Sequence, residues 1–115
     1  MDELHKEEAF EQIAIELVEL YKKKNADYGD SFGKTYKELS PISAITRMND
    51  KMNRIKNLVM QEVKSELSQG HVNGPKVKNE TVEDNLMDIA SYAIMTLIER
   101  RLAKLPINQK ENGKG

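Results

Sequence analysis

Residues 86–98 read Leu86-Met87-Asp88-Ile89-Ala90-Ser91-Tyr92-Ala93-Ile94-Met95-Thr96-Leu97-Ile98, and the fold class follows from them. The run is apolar nearly all round, with Asp88 its one charge. It is too long for an ordinary strand, and too short and too charged to span a bilayer. A helix of this kind is usually buried on several sides. Just upstream, Thr81-Val-Glu-Asp84 forms a capping-box-like start, with Asp in the third helical position. Downstream, Pro106 stops the helix. The pattern predicts a helix from Thr81 to about Ala103.

Two further helices are expected. Ile45, Met48, Met52, Ile55 and Val59 step 3, 4, 3, 4, which is a helical stripe. Ser40-Pro41 opens that helix, Ser as the cap and Pro at the first helical position, and it runs to about Ser68. The first helix spans about Asp2 to Lys24 on a stripe of Phe10, Ile13, Ala14, Leu17, Leu20 and Tyr21. Its closing Lys22–Lys24 run suits a helix C-terminus. Between the first and second helices, Asn25 to Phe32 is rich in turn formers and reads as a compact loop. Residues 33–39 are ambiguous, with a short helical turn as one reading. Residues 70–79, including Asn73-Gly-Pro75, read as an exposed loop or a short hairpin. The expectation is all-α: a small bundle of three main helices over residues 1–104, completed by homo-oligomerisation, with 105–115 a disordered tail.

Composition narrows the function. The 115 residues suit one domain with a modest core. Lys and Arg total 18 against 19 Asp and Glu, so nothing draws the chain generally to nucleic acid or to an anionic membrane. Phosphate binding must then come from a local cluster of charge. Cysteine is absent, which excludes thiolate metal sites and makes a reducing cytoplasm the natural setting. The charged start, MDELHKEEAF, does not read as a signal peptide.

The chemistry gathers around Asp88. A carboxylate among apolar neighbours is costly unless a cation or an ion pair neutralises it. Asp84 lies one turn earlier on the same face and Tyr92 one turn later. Two aspartates so placed can share a cation, and oxygen-only ligands suit Mg²⁺ or Mn²⁺. On the second helix Arg47, Asp50, Arg54 and Asn57 step 3, 4, 3, with Lys51 alongside. If this stripe faces Asp84 and Asp88, carboxylates, a metal and arginines together make a kit for holding a di- or triphosphate. The plainer readings stand beside it. Arg47, Asp50, Lys51 and Arg54 can be a solvated surface, Asp88 a structural ion pair with Arg47 or Arg54, and Asp84 a cap. The methionines read as core filler, and His5 and His71 as surface residues.

Three segments taken in order resemble the nucleotide modification associated domain 1 family of phages and prophage-bearing bacteria. They are Lys24-Asn-Ala-Asp-Tyr-Gly-Asp-Ser-Phe32, then Arg47-Met-Asn-Asp-Lys51 with Arg54 and Asn57-Leu58, then Thr81-Val-Glu-Asp84 with Asp88 and Tyr92. The similarity covers roughly residues 10–100. A more distant resemblance is to the all-α nucleoside triphosphate pyrophosphohydrolases of the MazG and dimeric dUTPase type, which bind Mg²⁺ through E-x-x-E and E-x-x-D pairs. The corresponding places are Asp50-Lys-Met-Asn53 and Asn85-Leu-Met-Asp88, or Asp84 to Asp88 with a shift of one. Two of the four carboxylates are then asparagines, which offer oxygen without charge.

The resemblance implies a nucleotide-binding homo-oligomer in the bacterial host cytoplasm. Asp50, Asp84 and Asp88 would hold Mg²⁺ or Mn²⁺, and Arg47, Lys51 and Arg54 would meet phosphates. Lys24, Asp27 and Tyr28 would shape one wall, and Tyr92 would complete the nucleotide site. If the chain is an enzyme, Glu83 or Asp84 would orient a water that splits a nucleoside triphosphate into monophosphate and pyrophosphate. The alternatives are a non-catalytic protein that sequesters a nucleotide signal and an adaptor bundle without a ligand.

Overall fold

The computed structural model describes residues 3–67 and 80–104, and these are all-helical. Among the described residues there are four helices where the periodicity predicts three: α1 (Glu3–Tyr28), α2 (Ser31–Leu39), α3 (Ile42–Leu67) and α4 (Val82–Ala103). No described helix is long and apolar enough to cross a membrane. The loop or hairpin expected over 70–79 and the tail over 105–115 lie outside the described residues.

The additional helix covers residues 33–39, for which a short helical turn is one reading, and takes in Ser31 and Phe32 from the end of the expected loop. α1 runs one turn past Lys24 and ends only at Gly29, whose φ of +62° is the left-handed conformation that closes helices. The Gly29 amide donates to the Asn25 carbonyl at 2.8 Å, completing the stop. Asp30 then caps α2, its Oδ1 accepting from the Gly33 amide at 3.1 Å. Gly33 is required by that cap, because a Cβ there would lie 2.5 Å from the Asp30 carboxylate. Turn-forming residues are therefore present as expected, but they serve as a C-terminal stop and an N-cap with almost no loop between.

Ser40 and Pro41 turn the chain into α3. The Pro41 carbonyl accepts from Ala44 and Ile45, and the Ser43 hydroxyl donates to the Ser40 carbonyl at 2.8 Å. α4 starts as read from its sequence. Thr81 Oγ1 accepts from the Asp84 amide at 3.0 Å, Glu83 and Asp84 occupy the first turn, and Arg100 and Arg101 the last, matching the helix dipole at both ends.

α4 packs mainly against α3, while α2 contacts both and α1 meets α4 near its own C-terminal end. The core is thin. Among the described residues Phe32, Ala44 and Leu58 are the buried apolar side chains, whereas Phe10 is 77% exposed and Leu86, Ile94 and Leu97 are each about half exposed. The described residues thus do not enclose the apolar run at 86–98 on all sides: one side of α4 packs inward and the other is exposed.

Candidate functional site

Three helices meet at Asp88 of α4. Its Oδ2 lies 2.9 Å from Lys51 Nζ of α3, and its Oδ1 lies 3.4 Å from Lys24 Nζ of α1. The Asp88 side chain is only 21% exposed, so the two ammonium groups offset its desolvation. The expectation of a neutralising partner holds, but the partners are lysines from two helices. Arg47 and Arg54 are not paired with Asp88.

Beside this cluster is a cleft of about 360 Å³. The last turns of α1 supply Lys24 and Asn25 to one wall. The α1–α2 junction supplies Gly29, Asp30 and Ser31, and α2 supplies Phe32. Arg47 enters from α3, and α4 contributes Asp88, Tyr92 and Glu99. The Phe32 and Tyr92 rings stack with centroids 5.9 Å apart and planes 16° apart. Tyr36 also stacks with Phe32, with centroids 6.4 Å apart. The Arg47 guanidinium carbon sits 5.5 Å from the Phe32 ring centroid, a cation–π arrangement. That contact holds the guanidinium at the cleft while leaving its N–H fork free of any carboxylate described here. Lys24 is about half exposed, so it borders both the cleft and solvent.

The expected site residues divide into two groups. Lys24, Arg47, Asp88 and Tyr92 line the cleft, and Lys51 stands directly behind Asp88. The others lie elsewhere. Arg54 is 3.6 Å from Asp50 on the exposed side of α3 and 3.7 Å from Glu80 ahead of α4. Glu80 also accepts from Asn85 Nδ2 at 3.2 Å, making a second small polar cluster. Glu83 and Asp84 are exposed on the first turn of α4, and Asp27 is exposed on α1. Tyr28 ends α1, and its side chain is outside the described residues. Among the described residues no three His, Cys, Asp or Glu side chains gather as a metal site would require.

The sequence reading gave no role to Phe32, Asp30 or Glu99. Glu99 was recoverable: Asp88, Tyr92, Met95 and Glu99 recur at spacings of four, three and four along one face of α4. Phe32 lay inside the loop motif, but nothing in a presumed loop indicated that its ring would turn inward.

Neither a curated protein nor a solved structure matches the chain. A sequence model of one family does match, over residues 24–99. That interval begins at the cleft lysine of α1 and ends at the cleft glutamate of α4. On this match the chain belongs to the nucleotide modification associated domain 1 family.

Proposed function

We propose that the chain binds a nucleotide in the cleft between α1, α2 and α4. One observation carries the reading: an aromatic pair, Phe32 and Tyr92, stands at the edge of a cleft of about 360 Å³ with Arg47 and Lys24 beside it. The volume lies in the range of small-ligand sites, roughly 300–1,000 Å³. An aromatic face suits a base, and a guanidinium fork suits a phosphate. Tyr92 is the base platform in this reading, because Phe32 is already enclosed. Lys24 and Arg47 meet the phosphate, and the Ser31 and Ser91 hydroxyls offer hydrogen bonds to the sugar.

A resident Mg²⁺ or Mn²⁺ held by Asp50, Asp84 and Asp88 finds little support in the donor arrangement. Each oxygen of Asp88 faces an ammonium group, Asp50 sits with Arg54, and Asp84 is on the exposed first turn of α4. The acidic residues in the cleft are Asp30, already used as a cap, Asp88 and Glu99. Of the two classes of nucleotide function, sequestration without hydrolysis is favoured by the lysine pairing of Asp88.

Calorimetry with nucleoside mono-, di- and triphosphates, in EDTA and in Mg²⁺, tests the reading. Binding should survive EDTA and weaken about tenfold in Arg47→Ala, the loss of one charge-assisted contact. Release of pyrophosphate from a triphosphate in Mg²⁺ would install the hydrolase in its place. If no nucleotide binds or raises the melting temperature, an adaptor bundle without this ligand is left standing.

A further inference from the structure

The outward side of α4 carries a pattern that the cleft does not use. Glu83, Leu86, Ala90, Ala93, Leu97 and Arg100 recur at spacings of 3, 4, 3, 4 and 3. The series reads the same in both directions in spacing and in size: charged, large, small, small, large, charged. The two end charges are opposite. Leu86 is 51% exposed and Leu97 52%, with Ile94 beside them at 47%. Glu83, Ala93 and Arg100 are exposed too. On a helix these positions share one face, roughly opposite Asp88, Tyr92 and Glu99.

We propose that this face is where a second copy of the chain docks, with the two α4 helices antiparallel about a twofold axis passing between residues 91 and 92. In that register Leu86 meets Leu97 of the second copy, and Ala90 meets its Ala93. Glu83 of each chain meets Arg100 of the other. A twofold contact must be self-complementary, and this face is so in shape and in charge. The paired alanines let the helix axes approach to about 8 Å, the short end of helix packing distances. Among the described residues only Phe32, Ala44 and Leu58 are buried apolar side chains, so a second copy would add apolar cover to a small core. A net charge of −1 offers no general repulsion between copies. The contact leaves the cleft free, since the cleft occupies the other side of α4. The proposal does not depend on what the cleft binds.

The chain contains no cysteine, so single cysteines report the geometry directly. About this axis the two copies of residue 93 come within about 6 Å between Cα atoms, inside disulfide range. Ala93→Cys should cross-link on mild oxidation to twice the chain mass, whereas Glu11→Cys, on α1, should not. By light scattering, wild type should be dimeric and Leu97→Glu monomeric with its helical circular dichroism retained. Glu83→Arg and Arg100→Glu should each weaken the dimer about fivefold, and the double reversal should restore it. The restoration separates pairing from simple misfolding of either variant. A monomeric wild type overturns the proposal. So does a dimer that Leu97→Glu leaves intact, or one that cross-links through Phe10→Cys and not through Ala93→Cys.

Discussion

Along the side of α4 that meets α1, α2 and α3, Asn85, Asp88, Tyr92 and Glu99 are drawn inward, and Asn85 is only 2% exposed. Along the opposite side Leu86, Ile94 and Leu97 are left about half open. A helix on the surface of a globular domain shows the reverse, polar groups in water and apolar groups inside. The contrast separates two tasks on one element. The inward polar groups are held by partners that one chain supplies: Lys24, Lys51, Glu80 and Thr81. Among the described residues the outward apolar groups have no such partners, and water is a poor substitute.

The comparison breaks most severely at Phe32. This ring stacks on Tyr92 and Tyr36, carries Arg47 over its face, and is 9% exposed. Phe32→Ala should cost about 3 kcal/mol in urea unfolding, the lower end for a buried aromatic. It should also release Arg47 from the cleft, so nucleotide affinity should fall with it. Stability unchanged to within 0.5 kcal/mol, on the order of a surface substitution, would mean that the inward side of the cleft is not assembled as described.

Asn85 is the next test. Its Nδ2 donates to Glu80 Oε1 at 3.2 Å and to the Thr81 carbonyl at 2.8 Å. Asn85→Asp removes both donations and sets a buried carboxylate against Glu80. A loss of about 2 kcal/mol is expected, since a buried polar group left unsatisfied costs about 1–3 kcal/mol. If Asn85 were instead a neutral metal ligand, the aspartate would improve Mg²⁺ binding. A melting temperature that rises in Mg²⁺ for Asn85→Asp but not for wild type would therefore favour the metal reading.

Much of the fold could be read from the sequence because its signals are local. The stripes at 10–21 and 45–59, the Thr81 cap and the all-round apolar run each specify a helix without help from distant residues. α2 was readable only as one option for residues 33–39, and its start was not, because Asn25, Asp27, Gly29 and Asp30 are equally at home in a loop, a helix stop and a cap. Only Gly29 in its left-handed conformation and Asp30 on the Gly33 amide decide among these. At the site, the need to neutralise Asp88 followed from burial alone. Which cation does so depends on how α1 and α3 are set against α4, and periodicity carries no information on that. Lys24 therefore contacts Asp88 from 64 positions away in sequence, while Arg54, only one turn beyond Asp50, is directed to Glu80.

Asp88→Asn sharpens the functional half of the contrast. One half-exposed pair and one mostly buried pair are lost, so stability should fall by about 1–2 kcal/mol. Lys24 and Lys51 are then released from their carboxylate. With one negative charge fewer beside the phosphate, nucleotide affinity measured by calorimetry in EDTA should rise several-fold, the scale of one screened charge contact. Loss of all binding in this variant, with EDTA present, would make the Asp88 carboxylate itself a nucleotide contact and reverse the proposed role of the lysines.

The smallest effect is expected at Arg54. The resemblance to nucleotide-handling proteins implies a phosphate contact for this residue, and the geometry gives it another occupation. Its guanidinium is about half exposed, 3.6 Å from Asp50 and 3.7 Å from Glu80, and it is absent from the cleft walls. Pairs this open to water contribute about 0–1 kcal/mol, and the loss of one arginine leaves Glu80 still accepting from Asn85. Arg54→Ala should thus shift unfolding by no more than about 0.5 kcal/mol and leave nucleotide affinity within twofold of wild type. Arg47→Ala, only two turns earlier on α3, should lose about tenfold, the loss already assigned to one charge-assisted contact. The pair of variants isolates position from charge: both remove one guanidinium from the same helix, and only one of the two guanidiniums reaches the aromatic stack. Equal losses in the two would show that phosphate is gathered by the general charge of α3 and not by the cleft.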